Sequence, residues 1–230
     1  MIKSKQEELT YLSSYFSKKL KRHFGKGPET CFSTVKDNLM LVHVRNFLTP
    51  AEEVLLESNE IHLASTFRSV IIKKIIADFI DEVERVYGIT FDSYHEDWNY
   101  DSNTGAIMLV NEVSSQHPTA IKDEGTMDQL LGEQVRKASS DIHREPDQLF
   151  VKKLSRSIYV VECKGTLLPI ETRLFQKGYS DILIESFRDI RTAFEKKKPM
   201  FEDVFGQSVD ELFLFWDYKK NKSYITFFLK

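Results

Sequence analysis

The chain has 230 residues, 41% of them hydrophobic and 29% charged. These are the proportions of a soluble globular protein with enough length to bury a core, which excludes disorder for most of the sequence. A formal charge of −3 and a pI near 6.1 supply no overall basic field, so nucleic acid is not an expected partner.

The charged opening, Met1-Ile2-Lys3-Ser4-Lys5, has no apolar stretch behind it and is not expected to act as a signal peptide. Leu9, Leu12, Phe16, Leu20 and Phe24 recur at helical spacing, and Gly25 can close that helix in a left-handed cap before Lys26, Gly27 and Pro28. Cys31 to Lys36 and Leu39 to Phe47 read as a hairpin around Asp37-Asn38. A short helix is predicted from Pro50 to about Ser58. A long one follows from Ile61 to Tyr87, with Phe67, Ile71, Ile75, Phe79 and Val83 as its apolar stripe and Gly88 as its stop. Ile89 to Trp98 and Ala106 to Val113 form a second predicted hairpin. No window approaches the ~20 apolar residues of a membrane span, since Val70-Ile71-Ile72 is cut at once by Lys73-Lys74.

From Ser114 to Gly125 the residues are polar and aperiodic, which predicts a linker. The order of elements then returns. Met127 to His143 is a helix, Leu149 to Leu154 pairs with Ser157 to Lys164, and Pro169 to Gln176 is a short helix. Ser180 to about Phe205 is a long helix with Leu183, Phe187, Ile190 and Phe194 on one face, and Val209 to Trp216 pairs with Ser223 to Leu229. Pro28 matches Pro146, Phe32 matches Phe150, Pro50 matches Pro169 and Gly88 matches Gly206. Trp98, Tyr100 and Asn103 match Trp216, Tyr218 and Asn221. The sequence is therefore read as a tandem duplication, with modules at 1–113 and 126–230 joined by the linker 114–125. Each module is expected to be α+β, a four-stranded antiparallel sheet with helices on one face, and the two are expected to be related by a pseudo-two-fold.

The organising stretch is Arg45-Asn46-Phe47-Leu48-Thr49-Pro50-Ala51-Glu52. Thr49 and Glu52 have capping-box spacing and Pro50 occupies the first helical position. A free helix N-terminus beside Arg45, with Lys26 near, could also hold a small anion such as bicarbonate or a carboxylate. In the second module Leu168 stands where Thr49 would, so the full junction is expected in the first module only. Asp97, Asn99, Asp101 and Asn103 alternate like a calcium loop, but Ser102 and Met108 occupy the positions of its glycine and closing glutamate, and turn chemistry explains them. His95 and Asp97 share a strand face without a nucleophile tied to them, and the histidines lack zinc spacing. Lys196-Lys197-Lys198 reads as a solvated helix face. Cys31 and Cys163 are expected to be reduced thiols. No catalytic residue, metal or cofactor is predicted.

Three stretches, Phe24-Gly25-Lys26-Gly27-Pro28, Arg45 to Glu52, and Asp97-Trp98-Asn99, resemble the pattern of the MpsC family, most closely over residues 10–112 and in part over 127–230. The family is the soluble component of a bacterial Na⁺-translocating, membrane potential-generating system. The resemblance implies a cytosolic, non-catalytic accessory subunit that docks on the membrane subunits of a potential-generating or dissolved inorganic carbon (bicarbonate) uptake system. Peripheral attachment at the inner face of the membrane, and a homodimer, are both compatible with it. It also marks Lys26, Arg45, Asn46, Thr49, Asp97 and Asn99 as ligand-binding candidates. Gly25, Gly27, Pro28, Pro50, Glu52 and Trp98 are marked as the structural part of the motifs. The alternative reading is an anion-binding sensor, or an enzyme acting on a carboxylate, centred on the Arg45–Thr49 junction.

Overall fold

A computed structural model describes residues 4–113 and 126–230. The chain divides into two compact units, Met1–Ser115 and Gln116–Lys230. The expected linker, 114–125, lies outside the described residues.

The first unit runs α1 (Lys5–Phe24), β1 (Thr30–Lys36), β2 (Leu39–Arg45), α2 (Pro50–Glu57), α3 (Ile61–Tyr87), β3 (Ser93–Asn99) and β4 (Thr104–Val110). Its strands form one antiparallel sheet in the order β1-β2-β4-β3. The second unit runs α4 (Met127–Ile142), β5 (Gln148–Lys153), β6 (Ile158–Lys164), α5 (Pro169–Gln176), α6 (Ser180–Glu195), α7 (Lys198–Phe205), β7 (Val209–Asp217) and β8 (Lys222–Leu229). Its sheet order, β5-β6-β8-β7, is the same topology. The α+β expectation therefore holds for both units, and so does the helix–hairpin–helices–hairpin order.

Each element follows from its sequence. Ser4 and Glu7 form a capping box that starts α1, and Gly25 ends it at φ +77, a conformation that costs glycine nothing. Leu12, Phe16 and Leu20 of α1, with Ile75, Phe79 and Val83 of α3, cover Met40, Val42 and Val44 of β2 and Ile107 and Leu109 of β4. The same layering in the second unit sets Leu131 and Val135 of α4, Phe187 and Phe194 of α6, and Phe201 of α7 over Val161, Cys163, Ile225 and Phe227.

The helices cover one face of each sheet, as expected. Leu39, Leu41, Ala106 and Met108 on the far face of the first sheet, and Val160, Phe213, Phe215 and Tyr224 on that of the second, are buried too, which fits the unbroken apolar runs Leu39–Val42 and Ala106–Val110. Two expectations need correction. The single long helix expected over 180–205 is two: Pro199 has no N–H to donate to the Glu195 carbonyl, so α6 stops there and α7 begins with the proline in its first turn. The stripe of α3 is rotated at its start: Ala64, Arg68 and Ile72 face inward, while Phe67 is 40% exposed.

Candidate functional site

The junction leaving β2 is held by an asparagine in the opposite turn. Asn46 turns the chain with a left-handed backbone (φ +53), and its N–H donates to the Asn103 carbonyl at 2.8 Å. The N–H of Phe47 donates to the Asn103 side-chain oxygen, also at 2.8 Å. Thr49 then caps α2. Its hydroxyl oxygen accepts from the Glu52 N–H at 3.4 Å, and Glu52 Oε2 accepts from the Thr49 N–H at 3.0 Å and the Thr49 hydroxyl at 2.6 Å. Proline at the next position has no N–H to leave unsatisfied.

The Glu52 carboxylate is fully buried, and its counter-charge comes from the second turn of α3. Arg68 Nε donates to Glu52 Oε1 at 2.5 Å, and Arg68 Nη2 donates to Glu52 Oε2 at 2.7 Å and to the Phe47 carbonyl at 3.0 Å. The guanidinium carbon lies 4.4 Å from the Trp98 ring centre and 5.1 Å from those of Phe47 and Tyr100. A two-pronged Arg–carboxylate pair enclosed by aromatic faces gives the charge a fixed geometry that lysine could not reproduce. Trp98 reaches this position because Gly105, its partner on β4, has no side chain: a Cβ there would lie 1.9 Å from the indole. The indole N–H donates to Glu96 at 2.8 Å. Burial pushes the Glu96 carboxyl up, while hydrogen bonds from Trp98 and Ser69 and the charge of Arg68 pull it back.

The sequence candidates separate into two groups. Lys26, Asn46, Thr49, Glu52 and Trp98 meet at the junction, but each is engaged inside it. Lys26 Nζ donates to the Leu48 carbonyl at 2.6 Å, Asn46 donates its side-chain amide to Glu29, and Gly25, Gly27 and Pro28 shape the loop that brings Lys26 there. Arg45, Asp97 and Asn99 alternate onto the other face of the sheet, away from Thr49. The Asn99 side chain accepts the N–H groups of Asp101 (3.1 Å) and Ser102 (3.3 Å), which is turn chemistry. The cation beside the start of α2 is thus Arg68 and not Arg45. Arg68 and Glu96 are the residues that sequence reasoning missed. The signal for Arg68 was a charge in line with Ala64, Ile72 and Ile75, hidden by choosing the stripe through Phe67.

The second unit builds the same clamp from other side chains. The N–H of Gly165 (φ +72) donates to the Asn221 carbonyl at 2.9 Å, and the Leu167 N–H donates to the Asn221 side-chain oxygen at 2.7 Å. Arg144 donates to the Leu167 carbonyl at 2.8 Å, as Lys26 does to that of Leu48. Leu168 has no side-chain acceptor, so half of the capping box is lost, as its sequence implied; its N–H still donates to Glu171 Oε2 at 2.7 Å. Counting from the helix starts at Ile61 and Ser180, Arg68 corresponds to Phe187, which stacks on Trp216 with ring centres 3.9 Å apart. Glu171 is partnered instead by His143 Nε2 at 2.8 Å. Phe47 corresponds to Thr166, and beside that smaller residue Ser139, His143, Arg144, Trp216 and Ser223 help to line a cavity of about 10 Å³. That is space for at most one water molecule.

Among the described residues no cluster of His, Cys, Asp and Glu could hold a metal ion, and no helix is long and apolar enough to cross a membrane. Both cysteines are free, and burial pushes each thiol up to about 12. Residues 4–112 match the family model described as Na⁺-translocating membrane potential-generating system (MpsC). Over its first half this chain is similar to the MpsC family. The match spans the whole Asn103–Thr49–Arg68–Trp98 assembly and ends before the second unit. No curated protein and no solved structure matches the chain. The similarity concerns the first unit alone; the second unit shares its strand order.

Proposed function

We propose that this chain is a non-catalytic accessory subunit of a membrane potential-generating system, cytoplasmic or peripheral at the inner face of the membrane, docking on membrane-spanning subunits that support uptake of dissolved inorganic carbon. The observation that carries the reading is the MpsC match over residues 4–112. Two features of the chain support it. No described helix can span a bilayer, so ion translocation would need partners that do. The polar residues of the junction, moreover, satisfy one another: the Glu52 carboxylate is consumed by Thr49 and Arg68, leaving a rigid scaffold rather than a reaction centre.

The test is affinity capture of the tagged full chain from detergent-solubilised membranes of its native host, with the captured proteins identified by mass spectrometry. The expected result is co-purification of polytopic membrane proteins in stable proportion, together with a reduced membrane potential when the chain is deleted. Recovery of no membrane protein, and an unchanged potential in the deletion strain, would end the proposal.

A further inference from the structure

Helix α3 carries an apolar stripe that the first unit leaves largely exposed, with only Phe67 meeting another ring, that of Phe24, edge-on at 6.1 Å between ring centres. Leu63, Phe67 and Val70, at i, i+4 and i+7, are 50%, 40% and 67% exposed. Their charged neighbours on the same helical face are ordered about the stripe's centre. Glu60 lies seven residues before Phe67 and Lys74 seven residues after it, both exposed and with Lys73 beside the latter. Seven residues are two turns, so both ends fall on the line of Phe67, about 10 Å to either side. One end is acidic and the other basic.

This pattern is its own complement when read backwards. If a second α3 is laid antiparallel with Phe67 over Phe67, each Glu60 falls beside the other copy's Lys74, and each Leu63 falls beside the other's Val70 and Ile71. A two-fold axis through Phe67 satisfies both ends at once, as an isologous contact requires. A parallel alignment would set like charges against each other at both ends. The second unit does not carry the pattern: at the counted positions of Leu63, Phe67 and Val70 stand Ile182, Ser186 and Asp189, and those of Glu60 and Lys74 are Tyr179 and Ala193.

We propose that the chain forms a homodimer through an antiparallel pairing of α3 helices about Phe67, with Glu60 and Lys74 fixing the direction. The interface belongs to the first unit and does not depend on the membrane role proposed above.

Sedimentation velocity of the full chain over a concentration series tests it. The wild type is expected to show reversible monomer–dimer exchange. Glu60 makes no side-chain cap bond in α3 and Lys74 is exposed, so Glu60→Lys and Lys74→Glu leave the fold intact, which circular dichroism checks. Each alone sets like charges together and weakens association by at least about tenfold. The double variant E60K/K74E restores it. An equimolar mixture of the two single variants associates better than either alone, because only the mixed pair has opposite charges at both ends. A wild type that stays monomeric at its highest soluble concentration overturns the proposal, whatever else the stripe then binds. So does a dimer indifferent to both reversals.

Discussion

Removing one member of the Glu52–Arg68 pair should cost the first unit far more than removing both. The two side chains are 0% and 4% exposed, so water and salt do little to screen what is left behind. In Glu52→Gln the guanidinium keeps only the Phe47 carbonyl as a charged-donor bond of full strength, together with the faces of Trp98, Phe47 and Tyr100. In Arg68→Met the carboxylate keeps the Thr49 N–H and hydroxyl but no cation. Each single change should destabilise by about 3–5 kcal/mol, the cost of an uncompensated buried charge. The double variant E52Q/R68M carries no charge, retains an amide oxygen for the Thr49 N–H and fills the aromatic enclosure with methionine. It should lose only about 1–2 kcal/mol, giving a coupling of at least about 2 kcal/mol. Urea unfolding of the full chain, followed by hydrogen exchange in peptides from α2 and α3, separates the first unit's loss from the second's. Single variants that each cost less than about 1 kcal/mol, or that add up to the double variant, would show that the pair does not hold the junction.

The two units should respond to pH with opposite sign. Glu96 has its carboxyl raised above the ordinary 4.5 chiefly by burial, so its contribution to the first unit is complete below that value and is lost as pH climbs through the raised one. Burial also acts to raise the Glu162 carboxyl, but Lys152, Lys222 and Lys164 together hold it below 4.5. Its contribution to the second unit is present above 4.5 and lost as pH falls through the lowered value. Unit-resolved hydrogen exchange across pH should therefore show slopes of opposite sign, flattened by Glu96→Gln in the first unit and by Glu162→Gln in the second. Gly105→Ala should destabilise by at least about 1–3 kcal/mol, because its Cβ would have to push the Trp98 ring off Arg68; a red shift of the tryptophan emission and a lower urea midpoint would report it. Cys31 and Cys163, with thiols pushed up to about 12, should react with a disulfide reagent at neutral pH only as fast as the chain unfolds. Stoichiometric labelling of the native protein would contradict that.

The punctuation of the fold was legible in the sequence because it is local chemistry. Thr49, Pro50 and Glu52 state the start of α2, Gly25 and Gly88 state the stops of α1 and α3, and Asn103 and Asn221 state the turns. The shared order of these points in both halves was enough to anticipate the common sheet topology. The buried stripes of α1 and α6 and the later turns of α3 were legible too; what failed was the placing of charge inside the fold. Arg68 looks like a surface residue until a carboxylate sixteen residues earlier is known to be buried beneath it, and Phe67 looks like core until the helix rotates to admit Arg68. Arg45 drew attention because it adjoins the junction in sequence, yet alternation along β2 sends it to the opposite face of the sheet. Glu96 gave no signal at all, since its surroundings come from α3 and from the indole of Trp98.

Comparison of the units shows which part of the junction is indispensable. Both bury a glutamate in the first turn of the short helix, at 0% exposure for Glu52 and 6% for Glu171, and both give it a nitrogen partner. The partner comes from α3 in one unit and from the residue after α4 in the other. The position that Arg68 occupies is taken by Phe187, and the cation over Trp98 becomes an aromatic stack on Trp216. Neither change is tolerable alone. Phenylalanine at the Arg68 position without a histidine near the carboxylate would strand a buried charge, and a protonated histidine added beside an intact Arg–Glu pair would bury a second positive charge against one carboxylate. The two substitutions are coupled through the glutamate, and the Asn–junction and Lys26 or Arg144 bonds persist around them. A clamp needs only that the carboxylate be satisfied, and this is the feature that both units keep.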